Sequence, residues 1–178
     1  MDRSNHYEAA FEAYLRRRRL CYVAVDEAKR SLLEDQPVKS LDFVVYGETD
    51  ARLLVDVKGR RFPGGPDDQP RNVWECWAER DDILGLQRWE KQFGPSYVGL
   101  LAFVYALAPD VALPEDVEDY WDFRGRRYLV RAVAAGEFSR HMRVRSPKWD
   151  TVDLPVSIYQ SLVQPFRAFT DSVQPAAS

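Results

Sequence analysis

Asp56 and Lys58 stand two residues apart in the run Leu53-Leu54-Val55-Asp56-Val57-Lys58-Gly59. Runs of this composition form β-strands, and a strand sends alternate side chains to opposite faces. Leu54, Asp56 and Lys58 therefore share one face, with the Cα atoms of acid and amine about 6.6 Å apart. A second acid, Asp42, is bracketed by Leu41 and Phe43 in the preceding apolar run. Carboxylates placed inside such runs lose hydration, and two of them on neighbouring strands also repel. A divalent cation relieves both penalties, so metal-assisted chemistry is what these residue types allow. The tripeptide Asp-x-Lys alone decides nothing: with 17 aspartates and five lysines in the chain, about half an occurrence arises by chance. Its plain reading is a salt pair at the end of a strand.

The elements that must position these side chains follow from spacing. Residues 6–19 carry Tyr7, Ala10, Phe11, Tyr14, Leu15 and Arg18 at helical intervals, with Ser4 or Asn5 as N-cap. Residues 20–25 read as a first strand, and 26–33 as a turn and a short helix. Residues 41–46 and 52–58 are strands joined by a tight polar turn, hence an antiparallel hairpin. A loop with three prolines and two glycines spans 62–70. Residues 73–78 read as extended, and Asp81 as the cap of a helix over 82–93 that Gly94 and Pro95 end. The most apolar strand, 97–107, follows that helix as in a strand–helix–strand crossover. Residues 110–122 form a surface connection, 127–134 a strand and 136–142 a short helix. Pro155 opens a last helix that breaks or kinks near Pro165, and 171–178 form a flexible tail. The class is α/β, a central mixed β-sheet flanked by helices, in one domain over 1–170.

A helix bearing Glu8, a strand, Asp42, then the Asp-x-Lys strand closed by Gly59 is an ordered set that resembles the PD-(D/E)xK, or restriction-endonuclease-like, nuclease superfamily. The similarity is greatest to its Holliday-junction-resolvase-like branch. Glu8, Phe11, Leu15 and Arg16 stand at the places of that branch's first-helix pattern. Ser40-Leu41-Asp42-Phe43 matches its strand aspartate, and Asp56-Val57-Lys58 its acid-x-lysine strand. The resemblance covers residues 6–62, and 73–107 by element order; nothing carries over beyond 110. It implies a restriction-endonuclease-like fold and a nuclease that hydrolyses DNA phosphodiester bonds, with Glu8, Asp42, Asp56 and Lys58 as the catalytic set. Mg²⁺ or Mn²⁺ would be held by Asp42, Asp56 and the main-chain carbonyl of Val57, and reached by Glu8 directly or through water. Lys58 would orient the attacking water and stabilise charge on the phosphoryl oxygens. No histidine base is then required, which suits a chain whose two histidines, His6 and His141, lack ligand spacing. DNA is the implied partner, and a homodimer is the form in which enzymes of this fold often cut both strands. The alternative is a catalytically inactive module of the same fold that binds nucleic acid or a protein partner.

Each member also has a plainer reading. Asn5-x-x-Glu8 is a capping-box pattern, so Glu8 can serve only its helix, with Glu12 as the replacement acid. Asp42 can cap, or pair with Lys39 or an arginine; Lys39 is also the runner-up to Lys58. Arg60 and Arg61 directly follow the Asp-x-Lys strand and are candidate phosphate contacts. Gln87 corresponds to a helix glutamine that some branches place near the site, though an exposed helix glutamine explains it as well. The five tryptophans, Trp74, Trp77, Trp89, Trp121 and Trp149, are better read as core or interface anchors than as base-stacking platforms.

The net charge of −3 argues against a strongly basic nucleic-acid binder, but the charge is unevenly placed. Six acids fall between Asp110 and Asp122 without one base, and the remainder carries 25 basic against 22 acidic groups. Arginine clusters at 16–19, 60–61, 124–131 and 140–145 offer local basic faces or ordinary solvated surface. Two cysteines without framework spacing point to a reducing compartment and buried, inert thiols, with a disulfide between them the lesser alternative. The N-terminus is charged from its second residue, and the longest uncharged stretch, 92–109, is 18 residues with its apolar part over 95–109, short of the roughly 20 that span a membrane. The expected location is the cytoplasm, without membrane association. Walker, dinucleotide-binding, Cys-x-x-Cys and Gly-x-Ser-x-Gly patterns are all lacking.

Overall fold

The computed structural model describes residues 6–25, 32–33, 36–37, 41–48, 50, 52–66, 68–113, 117 and 119–171. Helix α1 (His6–Arg17) buries Ala10, Phe11, Tyr14 and Leu15, the stripe that its spacing demands. Its proposed caps, Ser4 and Asn5, lie outside the described residues. Strand β1 (Cys21–Ala24) follows. Strands β2 (Leu32–Leu33) and β3 (Gln36–Pro37) pair with each other in a separate two-stranded ladder. Residues 32–33 are thus extended rather than helical, because local hairpin pairing satisfies their backbone; 26–31 lie outside the described residues.

Strands β4 (Phe43–Tyr46) and β5 (Arg52–Phe62) form the expected hairpin, with Phe43 opposite Val55 and Tyr46 opposite Arg52. Of the 73–78 stretch only Ala78 enters a strand, β6 (Ala78–Glu79). Helix α2 (Arg80–Phe93) is capped by Glu79 and not by Asp81: Glu79 and Asp82 close a reciprocal capping box. Strand β7 (Tyr97–Leu107) lies parallel to β5 along its full length, from Arg52 with Tyr97 to Phe62 with Leu107. That pairing explains why β5 continues past Lys58.

Within the stretch read as a surface connection, Tyr120 to Asp122 belong to a strand, β8 (Tyr120–Phe123), joined to β9 (Arg126–Ala134) by a two-residue turn. Arg124 and Gly125, at φ 50° and 75°, give the left-handed turn whose twist matches flanking strands. Helix α3 (Ala135–His141) stands where expected. Strands β10 (Arg143–Ser146) and β11 (Thr151–Asp153) join β6 in a small three-stranded sheet. The last helical region is divided into α4 (Val156–Leu162) and α5 (Arg167–Thr170), with β12 (Gln164–Pro165) pairing on β9 between them.

The main sheet runs β1-β4-β5-β7-β9-β12, with β8 on β9. It is mixed: β5 and β7 are parallel and the other neighbours antiparallel. Strand alternation divides its side chains between two cores. Val55, Val57 and Val104 pack with Phe11 of α1 on one face; Leu54, Leu101 and Phe103 pack with Ile83 of α2 and Phe138 of α3 on the other. Helices therefore flank both faces. Among the described residues no helix is long and apolar enough to cross a membrane. Both thiols are free, and Cys21 is exposed rather than buried, because it opens β1, the strand at the sheet edge.

Candidate active site

One step beyond the Phe43–Val55 pair, Asp42 comes opposite Asp56, its backbone N–H donating to Val55 O at 2.9 Å. Both aspartates are only 6% exposed. Asp42 Oδ2 accepts the Val57 N–H at 2.6 Å, which fixes it across the strand gap. Asp56 and Lys58 share the α2 face of β5, as the alternation requires, and Lys58 Nζ lies 2.7 Å from Asp56 Oδ1. The same ammonium lies 2.8 Å from Asp82 Oδ2. Asp82, 3% exposed, also accepts the Glu79 N–H at 3.0 Å. One carboxylate thus caps α2 and anchors the lysine.

The charge balance shows which group is under pressure. Burial, then the neighbouring Asp56, push the Asp42 carboxyl up to about 8; Glu8 adds to the rise, while the Val57 N–H and Lys58 oppose it. Burial alone would lower the Lys58 ammonium, but Asp56 and Asp82 outweigh it and hold its pKa above the ordinary lysine value. Lys58 is therefore a permanent cation at neutral pH.

Glu8 is half-buried in the first turn of α1, and its charge acts on Asp42 in the same sense as that of Asp56. The seat of α1 depends on Gly59, because a Cβ there would overlap the Tyr7 ring. That close approach brings the turn carrying Glu8 against the strand carrying Lys58. Glu12 is engaged elsewhere, with Arg16 at 3.0 Å and the Tyr22 hydroxyl at 2.9 Å. Asn5 and Lys39, named in the alternative readings, lie outside the described residues.

Donor chemistry at this point fits a hard divalent cation: two carboxylates of one strand pair, one of them driven toward protonation by burial and by its neighbours, beside the carbonyl-bearing Val57. In the arrangement observed, the positive charge among them is that of Lys58. Among the described residues no group of three or more His, Cys, Asp and Glu side chains is spaced as a metal cluster. The pair of strand acids fits; among the described residues a third side-chain ligand is not in place.

The outlying candidates fare unequally. Arg60 is turned inward: its guanidinium donates to Gly59 O at 2.6 Å and to Trp77 O, and lies 3.7 Å over the Trp77 ring. Burial accordingly lowers its pKa. Arg61 is exposed. Gln87 is half-buried on α2 and, among the described residues, makes no hydrogen bond to the cluster. Asp82 is the residue that sequence reasoning missed. Its signal was present as Glu79-x-x-Asp82, a cap pattern at the start of the helix that must cover the Lys58 face. Of the tryptophans, Trp121 is core at 2% exposed, whereas Trp149 is 69% exposed.

No protein-family model matches the chain, and no curated protein matches it. Among solved structures the chain is similar to Hjc, a Holliday junction resolvase from the archaeal hyperthermophile Archaeoglobus fulgidus. Identity is 15%, the match covers 88% of this chain and 92% of that chain, and the TM-score is 0.49. That likeness assigns no residue its role; roles come from side-chain geometry.

Proposed function

We propose that the chain is a metal-dependent nuclease that hydrolyses DNA phosphodiester bonds. The observation that carries this reading is the burial of Asp42 and Asp56 side by side, with Lys58 Nζ 2.7 Å from Asp56. Two buried acids and one half-buried amine on an apolar sheet cost desolvation that a merely structural pair has no need to incur.

Asp42, Asp56 and the Val57 carbonyl would hold Mg²⁺ or Mn²⁺, with Glu8 approaching from α1. When bound, such an ion supplies Lewis-acid activation of the phosphoryl group and a water of lowered pKa. Lys58 keeps its proton at neutral pH, so it positions the attacking water as a donor and offsets charge growing on the phosphoryl oxygens. Asp82 gives Nζ a second anchor, so the lysine holds its place when Asp56 shares its charge with a cation. The apolar walls from β7, Leu101 and Phe103, exclude competing water. DNA is the proposed partner, a dimer the form that cuts both strands, and the cytoplasm the location in which Cys21 and Cys76 stay reduced.

The test is incubation of the purified chain with plasmid, linear and branched DNA in Mg²⁺, Mn²⁺ or chelator. Metal-dependent nicking that Asp56→Ala and Lys58→Ala abolish is the expected result. Absence of cleavage of every DNA, together with no metal uptake by calorimetry, overturns it. A second reading, an inactive module of this fold that binds nucleic acid or a protein partner, is favoured by one observation: Lys58 Nζ already pairs with Asp56 and Asp82, and among the described residues no group of three acids is spaced as a metal cluster.

A further inference from the structure

A cleft of about 670 Å³ is lined by His6, Tyr7, Arg61, Phe62, Arg126 and Arg127 among others. Its elements adjoin the proposed reaction centre in the chain: Tyr7 precedes Glu8, and Arg61 belongs to the strand that carries Lys58. The β8–β9 hairpin forms another wall. Asp122 sits directly across from Arg127 and reaches its Nε at 3.4 Å, the sole acid among the described lining residues. Three guanidinium groups thus face one carboxylate on a protein of net charge −3. Arg126 is exposed, faces the Tyr128 hydroxyl, and has no ion pair among the described residues.

The remaining wall is of a different kind. Phe62 and the prolines Pro63, Pro66 and Pro70 present apolar surface from the loop after β5, with Leu107 and Pro109 at the end of β7. A cleft with arginines on one side and an aromatic and prolines on the other matches the two-sided chemistry of one nucleic-acid strand, phosphates outward and base faces inward. Its volume falls in the roughly 300–1,000 Å³ range of small-ligand pockets, enough for a short length of one strand and too small for a duplex.

We infer that this cleft binds single-stranded DNA, and that the substrate of the proposed nuclease includes an unpaired strand running across the hairpin into the centre. The inference rests on the nuclease reading only for the fate of that strand; binding itself needs no metal. Arg126 and Arg127 hold phosphates, and the wall of Pro63, Pro66 and Pro70 receives bases, backed by Phe62, one face of whose ring is stacked on Trp74 at 3.6 Å.

The experiment is fluorescence anisotropy with a labelled single-stranded 15-mer and the same sequence as a blunt duplex, in chelator, over a series of salt concentrations. The single strand is expected to bind at least fivefold more tightly than the duplex. The double variant Arg126→Ala, Arg127→Ala should weaken single-strand binding about tenfold and flatten the salt slope by about 1.4, because each lost phosphate contact on a single strand removes about 0.7. Arg140→Ala, whose guanidinium pairs with Glu137 on α3, should change neither. Equal affinity for both DNAs overturns the inference, as does a double variant with unaltered affinity and slope. Cleavage assays separate the two readings: single-strand binding without hydrolysis keeps the cleft and sinks the nuclease, whereas hydrolysis without strand preference does the reverse.

Discussion

Asp119 and Asp42 are buried to nearly the same degree, 4% and 6% exposed, but their surroundings differ in kind. Asp119 accepts the Tyr14 hydroxyl at 3.0 Å and the Arg167 N–H at 3.1 Å, one donor for each oxygen. It ties α1, β8 and α5 together. Among the described residues Asp42 has a single hydrogen-bond donor, the Val57 N–H, and it faces Asp56 with Glu8 nearby. The first carboxylate is solvated by the protein; the second is opposed by it. Burial alone therefore says little about function, whereas burial against like charge points to a position kept for something other than stability.

The largest expected effect that separates the two is on turnover. Asp42→Asn should reduce metal-dependent DNA cleavage by about 10³-fold, in the range seen when one preorganised electrostatic group is removed. Steady-state nicking of plasmid measures it, and a loss under tenfold breaks the contrast from the functional side. Asp119→Ala should leave turnover within about twofold per folded molecule, but it strands two buried donors and costs about 2–4 kcal/mol of stability. Urea unfolding checks this, and an unchanged midpoint would show that Asp119 is no tie at all.

A smaller effect concerns the lysine anchor. Asp82→Asn still offers an oxygen to the Glu79 N–H but no longer a charge to Lys58, so turnover should fall about tenfold, or about 1.4 kcal/mol in barrier. Its melting temperature should stay within a few degrees of the parent. Lost helix content in circular dichroism would mean that Asp82 matters for capping rather than for the ammonium.

The smallest effect is thermal and metal-free. Because the folded pKa of Asp42 is raised to about 8, the native chain holds a proton that the unfolded chain releases above the ordinary carboxylate range. Stability should fall as pH rises through that window and level off above about 8. Asp42→Asn has no such proton to lose, so in chelator its advantage over the parent should grow with pH. About 1 kcal/mol at pH 9 amounts to roughly 2–4 °C in a domain of this size. A variant less stable than the parent at every pH contradicts the idea that Asp42 is electrostatically opposed.

What the sequence disclosed and what it withheld follow the same physical division. Alternation along 53–58 and the tight turn before it were enough to put Asp42, Asp56 and Lys58 on one side of neighbouring strands, because period and turn length are local properties. Asp82 was not legible as a partner of Lys58, since the docking of α2 over β5 is a long-range event. The inward turn of Arg60 was not legible for a similar reason: only the folded chain brings Trp77 across it. The sheet of β6, β10 and β11 also escaped, being made of two- to four-residue strands whose pairing outweighs their weak propensity.

The parallel ladder between β5 and β7 extends over eleven residue pairs, and β4 flanks part of β5 on its other edge. Backbone amides in such a double-sided position exchange with solvent only through near-global opening. Asp56 and Lys58 sit directly past that double-sided stretch, which ends at Val55, and are held from there on by the β7 ladder. Under the proposed metal loading, adjustment falls to rotamers and to the seating of α1 on Gly59, a division of labour that deuterium uptake at Val57 and at Tyr7 would register as two separate rates.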